Sequence, residues 1–277
     1  MQQLSDRTIA TQLGPIHVRV GGDGSPVLLW HSLYVDGHSW DRTLDDLTGD
    51  RTVIVVDGPG AGQSPGPGRV FTLAECAAAG VTVLDQLGIE GVDWVGNAWG
   101  GHVGILFAST CPDRLRSLVA IASPLEPISR SMRRTVTPLV RLYRLIGPTP
   151  VAGKIAEALL SSGTRSSDLE ATRSIKEHLG RVPRRTAQMT MQSVMLNRSD
   201  LTDMARSLVQ PVLLVAGDDD PMWMAEDCRR EAEQLSDGHS AVIAHSRHLP
   251  PLEAPEETVA TLRSWWRTLD ARARPSP

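Results

Sequence analysis

Short runs of apolar, mostly β-branched residues recur along the chain and alternate with helical patterns. Most of these runs are hydrophobic on both faces, which is typical of strands buried in a parallel sheet. They cover residues 27–30, 53–56, 92–95, 118–121 and 212–215. Residues 16–20 alternate apolar and polar positions instead, which predicts an edge strand. Because helical patterns such as residues 73–87 and 101–109 separate the runs, we predict an α/β fold with a mostly parallel central sheet flanked by helices.

One long region interrupts this alternation. Residues 123–207 contain no convincing strand pattern, and helical patterns at residues 136–146 and 155–160 are separated by prolines. We therefore predict a helical cap, or lid, at residues 123–207, inserted into a core made of residues 1–122 and 208–277. The inserted region has 14 Lys and Arg against 7 Asp and Glu, whereas the whole chain has a net charge of −4. Two interpretations stay open: a solvated basic face, or one arginine that faces a pocket and holds an anionic substrate.

The bulk properties exclude several classes of function. The net charge of −4 gives no reason to expect nucleic acid as a partner. No apolar run reaches the length of a membrane span, and the N-terminus lacks the pattern of a signal peptide. The cysteines at positions 76, 111 and 228 are scattered, so they indicate neither a metal site nor a disulfide framework. We expect a cytoplasmic monomer or homodimer without a metal or other cofactor.

The stretch Gly96–Asn97–Ala98–Trp99–Gly100 lies between a predicted strand and a predicted helix. It fits the pattern Gly-x-Ser-x-Gly everywhere except at its centre, where that pattern places a nucleophilic serine on a sharp turn. A dinucleotide-binding turn has a different glycine spacing. The turn therefore indicates a hydrolase elbow whose central residue is alanine.

Sequences after the other strands extend this pattern. They are His31-Ser32-Leu33, the stretch from Asp57 to Ser64, Gly217-Asp218-Asp219-Asp220, and His248-Leu249-Pro250-Pro251. With these motifs the chain, from about residue 5 to residue 270, resembles the α/β-hydrolase superfamily with a helical cap. The order of elbow, acid and histidine is the one that this superfamily requires.

The resemblance implies an acid–base pair. Asp220 is the expected acid and His248 the expected general base, with Asp218 and Asp219 as competitors for the first role and His245 for the second. In such a pair a buried carboxylate holds the imidazole in one tautomer, so that the ring can take a proton.

The resemblance also implies roles around the elbow. Ala98 occupies the position of the nucleophile, and the backbone N–H groups of Leu33 and Trp99 would form the oxyanion hole. Ser32 stands where the superfamily usually has glycine, which affects the shape of that hole. His31 is expected to shape the turn below the site rather than to titrate.

The alanine has two interpretations. In the first, Ala98 replaces a nucleophilic serine and the chain is an inactive variant of a serine hydrolase. In the second, the alanine is natural. The protein would then be a non-catalytic ligand-binding protein, or a lyase, isomerase or water-activating enzyme that uses the Asp220–His248 pair alone.

The leading functional hypothesis is hydrolysis of an ester or lactone. A carbon–carbon hydrolase of vinylogous diketones from aromatic degradation is the alternative, because Asn97 and a basic cap are similar to that group. The expected partner is a mostly apolar small molecule with one scissile carbonyl, bound between sheet and cap. The expected pocket walls are Ser32, Tyr34, Trp99, Leu142, Met189 and Met195.

Overall fold

The computed structural model describes residues 4–273 of the 277-residue chain. Eight strands form one sheet in the spatial order β1-β2-β4-β3-β5-β6-β7-β8. The strands are β1 (Ser5–Thr11), β2 (Gly14–Gly21), β3 (Ser25–Trp30), β4 (Arg51–Val56), β5 (Val92–Asn97), β6 (Leu115–Ile121), β7 (Val212–Gly217) and β8 (Gly238–Ile243). Strand β2 runs antiparallel to β1 and β4, and every other neighbouring pair is parallel. The predicted mostly parallel sheet is confirmed.

The edges of the sheet differ from the sequence-based expectation. The strand predicted as an edge, now β2, lies inside the sheet, because β1 pairs with it along its full length from Ser5 to Thr11. Neither β1 nor β8 stands out as an apolar run, since most of their residues are exposed or only partly buried. An edge strand needs few apolar residues because solvent reaches one or both of its faces, so hydrophobic pattern alone finds it poorly.

The described residues form twelve α-helices. They are α1 (Asp41–Leu47), α2 (Leu73–Gln86), α3 (Trp99–Thr110), α4 (Arg130–Ile146), α5 (Ala152–Leu159), α6 (Ser162–Ser167), α7 (Leu169–Arg181), α8 (Arg184–Met191), α9 (Thr202–Arg206), α10 (Ala225–Ala232), α11 (Pro250–Glu253) and α12 (Pro255–Ala273). Helices α2, α3, α9 and α10 pack on one face, and α1 and α12 pack on the other. The strands in the middle are therefore buried on both sides, which explains their continuous apolar sequences.

The stretch between β6 and β7 contains α4 to α9 and a short π-helical turn, Gln192–Leu196. The guanidinium of Arg198 joins the two ends of this stretch, because it donates to the carbonyl oxygens of Pro124 at 3.1 Å and Leu125 at 3.0 Å, and also to that of Glu126. Burial lowers the pKa of Arg198 to about 10. The positive charge of Arg198 is therefore paired with backbone carbonyl oxygens. These hydrogen bonds fix the point at which the helical stretch leaves the sheet.

None of the helices within residues 4–273 combines the length and the apolar character needed to cross a membrane.

Candidate active site

Ala98 lies at a sharp turn between β5 and α3, with φ at 48° and ψ at −102°. Positive φ at a residue with a side chain costs roughly 1–3 kcal/mol. Two glycines permit the turn, because other backbone atoms come so close to them that a side chain would not fit. A methyl group on Gly96 would lie 2.0 Å from the carbonyl carbon of Gly100, and one on Gly100 would lie 2.2 Å from the carbonyl oxygen of Trp30. The glycine pattern seen in the sequence thus corresponds to a strained elbow whose apex is a methyl group.

Hydrogen bonds connect this elbow to its neighbours. The N–H of Ala98 donates to the carbonyl oxygen of Ile121 at 2.7 Å. The side-chain amide of Asn97 donates to the carbonyl oxygens of His248 at 3.0 Å and Ile121 at 3.2 Å. The residue before the apex therefore holds the histidine loop directly against the elbow.

The predicted acid and base are in contact. Nδ1 of His248 lies 2.8 Å from Oδ2 of Asp220, whose side chain is fully buried. The other carboxylate oxygen, Oδ1, accepts a hydrogen bond from the N–H of Met222 at 2.9 Å. With Nδ1 donating to Asp220, the neutral imidazole keeps Nε2 as the nitrogen that can accept a proton.

The competing residues have other contacts. The carboxylate of Asp218 accepts a hydrogen bond from the N–H of Ser246 at 3.2 Å. The carboxylate of Asp219 pairs with Arg247 at 3.1 Å. His245 is exposed at a positive φ of 56°. These contacts favour Asp220 and His248 over their neighbours for the acid and base roles.

The two expected oxyanion donors come from adjacent segments. Trp99 is the first residue of α3, so its N–H lies in the helical turn where N–H groups have no partner within the helix. Leu33 follows β3 by three positions, and the close approach of Gly100 to Trp30 brings the end of that strand against the start of α3. This arrangement is compatible with two N–H groups that converge beside position 98.

His31 has a structural environment. Its Nε2 accepts a hydrogen bond from the N–H of Gly58 at 2.9 Å, and its Nδ1 donates to the carbonyl oxygen of Ser32 at 2.6 Å. Burial lowers the pKa of His31, and the nearby Asp57 carboxylate offsets this only in part. Both ring nitrogens are used, so the imidazole holds the loops below the site, as the sequence led us to expect.

A small cavity lies between the sheet and the helical stretch. Its walls are Leu33, Tyr34, Val35, Gly60, Ala61, Trp99, His178, Leu179, Val182, Ala187, Thr190 and Met191. Tyr34 and Trp99 are therefore at the wall where they were expected. The cavity reaches the elbow through Trp99 and Leu33, whereas Ala98 and His248 are not among the described residues that line it.

Several expected wall residues lie elsewhere. Leu142 is 43% exposed, because α4 turns Val140 and Tyr143 inward and Leu142 outward. Met189 is partly buried outside the cavity, and Met191 on the same helix takes its place in the wall. Helical spacing selects candidate faces, but only the packing decides which face points inward.

The other two expected wall residues lie near the cavity without lining it. Met195 packs in a cluster that includes Leu33 and Tyr34. Ser32 is buried behind them, next to His31. Neither residue is among the described residues that line the cavity.

The basic residues of the helical stretch do not reach the cavity. None of the described arginines in residues 123–207 lines it, and the arginines of α4 are exposed. Of the two interpretations of the charge, the solvated face is the one that this structure supports. The structure also provides no arginine wall of the kind that a carbon–carbon hydrolase would use.

Sequence reasoning missed the polar residues of the cavity. Thr190 and His178 contribute polar side chains, and Nδ1 of His178 lies 3.1 Å from Oδ2 of Asp36. Asp36 and His178 are 142 positions apart, and no motif relates them. Only the packing of α7 against the loop after β3 brings them together.

Comparison with known proteins finds relatives along nearly the whole chain. A pimeloyl-[acyl-carrier protein] methyl ester esterase from Vibrio parahaemolyticus is 27% identical over 256 residues, which are 90% of this chain and 97% of that protein. A thermophilic esterase from Thermogutta terrifontis superposes with a TM-score of 0.87 at 26% identity, covering 96% of this chain and 99% of that one. An enol-lactonase from Burkholderia xenovorans LB400, 17% identical, has the same fold with a TM-score of 0.87 over 94% of this chain and 100% of its own. The family profile of the α/β-hydrolase fold matches residues 25–255, and the chain belongs to that family.

Proposed function

We propose that this site is that of a serine hydrolase acting on an ester or lactone of a small, mostly apolar molecule, with Ala98 in place of the nucleophile. The observation that carries the proposal is the strained elbow at Ala98 beside a buried Asp220–His248 pair. A strained backbone is retained only where the surrounding structure holds it, and such strain clusters at functional sites. Alanine at the apex makes no use of that strain, whereas a serine would present its hydroxyl there.

The substrate class rests on the cavity and on the relatives. The cavity walls are mostly apolar, which is typical of sites that bind small molecules. The Vibrio parahaemolyticus relative is named as a methyl ester esterase, and the Thermogutta terrifontis relative as an esterase. We further propose that residues 123–207 form the lid of this pocket, and that residues 1–122 and 208–277 form the core that carries the chemistry.

The mechanism follows from the positions of the groups once a serine stands at position 98. His248 would take the proton of the serine hydroxyl, and Asp220 would stabilise the imidazolium that forms. The N–H groups of Leu33 and Trp99 would stabilise the oxyanion. The intermediate would collapse by breaking its bond to the alkoxy oxygen, to which the His248 imidazolium returns the proton, so that an alcohol leaves, or a lactone ring opens, and an acyl-enzyme forms. Water would then hydrolyse the acyl-enzyme, with His248 again acting as the base and then returning the proton to the serine.

The test is the variant Ala98→Ser, assayed beside the unchanged protein on p-nitrophenyl acetate and p-nitrophenyl hexanoate. Because loss of a nucleophilic serine can cost about a millionfold in kcat, we expect the serine to raise turnover by at least about a thousandfold. In the serine background, His248→Gln should abolish the gain and His245→Gln should keep it. A serine variant no faster than the unchanged protein on either ester, or on a small lactone, would rule the proposal out.

A second candidate is hydrolysis by a water molecule that His248 activates directly, without a covalent intermediate. The alanine at the apex favours it, because the pair and the oxyanion donors need no hydroxyl to act on water. This candidate expects measurable turnover by the unchanged protein that His248→Gln removes. An inactive unchanged protein beside an active Ala98→Ser variant excludes it.

A further inference from the structure

His178 brings a second histidine–carboxylate pair to the cavity. It lies on α7 next to Leu179, and both residues line the cavity. Its Nδ1 is 3.1 Å from Oδ2 of Asp36, and the side chains of His178 and Asp36 are 8% and 6% exposed. The exposed Arg181 also approaches the same carboxylate oxygen, at 3.5 Å. The pair joins the helical stretch to the loop after β3 at the cavity wall.

The surroundings of Asp36 indicate the direction of this hydrogen bond. Oδ1 of Asp36 accepts a hydrogen bond from the N–H of His38 at 3.0 Å. Burial by itself raises the pKa of Asp36, but the hydrogen bond from His178 and its other histidine neighbours lower the pKa below its ordinary value. The carboxylate therefore accepts and Nδ1–H of His178 donates. In the neutral form of this imidazole Nε2 is left as an acceptor, and residues 4–273 contain no hydrogen-bond partner for it.

Thr190 adds a second polar atom to the same cavity. Its side-chain oxygen, Oγ1, is buried and has no hydrogen-bond partner within the described part of the chain. It faces the loop after β4, because a methyl group on Gly60 would lie 2.6 Å from it. Gly60 and Thr190 both line the cavity. A buried polar atom without a partner is costly, so the open Oγ1 of Thr190, with His178 at the same cavity wall, points to a polar group of the occupant.

We propose that His178 and Thr190 form a subsite for a hydroxyl group, at the end of the ester or lactone that is remote from its scissile carbonyl. A hydroxyl has the chemistry that both atoms need, because it can donate a hydrogen bond to Nε2 of His178 and accept one from Oγ1 of Thr190. A methyl group in the same place would leave both unpaired. The inference rests on the proposed function for the identity of the scissile group, but the subsite itself requires only binding.

The experiment therefore measures binding to the unchanged protein, which cannot form an acyl-enzyme through a serine at position 98. The probes are methyl butanoate, methyl hexanoate and methyl octanoate, each compared with its ω-hydroxy counterpart by calorimetric titration. Three chain lengths are compared because the distance from the elbow to the subsite decides which ester can reach both. At the best length we expect the hydroxylated ester to bind about fivefold to tenfold more tightly than the plain one.

Two variants test the named atoms. Thr190→Val removes the hydroxyl at nearly constant volume. His178→Asn keeps an N–H donor for Asp36 and removes Nε2. Each should reduce the hydroxyl preference, measured as the ratio of the two affinities, to about twofold or less. Thr172→Val is the matched control, because Thr172 also has a buried, unpartnered hydroxyl in this stretch but does not line the cavity.

The outcomes separate this inference from the proposed function. Equal affinity for plain and hydroxylated esters at every length overturns the subsite, even if Ala98→Ser is active. A preference for the hydroxylated ester that survives both variants also overturns the subsite. If the variants lower the melting temperature and keep this preference, the Asp36–His178 pair has a structural role only. A hydroxyl preference that both variants remove supports the subsite, even if Ala98→Ser proves inactive and the hydrolase proposal fails.

Discussion

The side-chain amide of Asn97 donates to the main-chain carbonyl oxygen of His248 at 3.0 Å, although the two residues are 151 positions apart in the chain. The same amide donates to the carbonyl oxygen of Ile121 at 3.2 Å. The elbow, the end of β6 and the histidine loop are thus joined at one buried side chain. The hydrogen bond to His248 therefore holds the backbone of the histidine loop against the elbow.

Replacing Asn97 should reduce kcat more than it raises KM. In the Ala98→Ser background, we expect Asn97→Ala to lower kcat by about a hundredfold, because small displacements of a catalytic group are costly. Steady-state kinetics and melting temperature should be measured on the same preparation. The control is Ser117→Ala, which removes a buried hydrogen bond of 2.6 Å to Asp93 away from the site. If both variants lower kcat equally, Asn97 has only a structural role.

Replacing Asp220 should lower kcat far more than replacing the adjacent Asp219. Asp220→Asn in the serine background keeps the volume but disturbs the tautomer of His248, and we expect kcat to fall by about 10⁴-fold. Asp219→Asn is the matched control, since the carboxylate of Asp219 pairs with Arg247 and not with the histidine. The assignment fails if Asp219→Asn is the more damaging change.

The elbow glycines can be tested through stability. Gly96→Ala would place a methyl group 2.0 Å from the Gly100 backbone, so we expect the free energy of unfolding to fall by about 3 kcal/mol. Gly91→Ala meets no atom within 4 Å and should change it by less than about 0.5 kcal/mol. Urea denaturation of the two variants measures the difference. Similar values for both would show that the turn relaxes easily.

The Asp36–His178 pair should make stability depend on pH on the acid side. The pKa of Asp36 is lowered in the folded state, so its contribution is present above the ordinary carboxylate pKa and is lost as the pH falls towards the folded value. Near neutral pH we expect Asp36→Asn to lower the free energy of unfolding by about 2 kcal/mol. The difference in free energy of unfolding between the variant and the unchanged protein should shrink below about pH 4. A difference that stays constant from pH 6 to pH 3 would show that Asp36 does not make stability depend on pH.

The inner strands and the elbow were predictable because their determinants are local. A strand buried on both faces must be apolar throughout, and a turn with close backbone approaches must have glycine at Gly96 and Gly100. The resemblance to the α/β-hydrolase superfamily, rather than local packing, led us to expect a base at His248 and an acid at Asp220. The edge strands β1 and β8 could not be recognised in this way, since exposure to solvent removes the hydrophobic signal.

The sequence by itself determined the class of fold, the strained elbow with its alanine, and the order of acid and histidine, because short-range patterns carry these features. Only the tertiary structure decided which aspartate meets His248, which face of α4 turns inward, and that Asp36 meets His178 at the cavity wall. Those choices depend on how distant segments pack. Contacts between residues that are far apart in the sequence leave no periodic pattern in it.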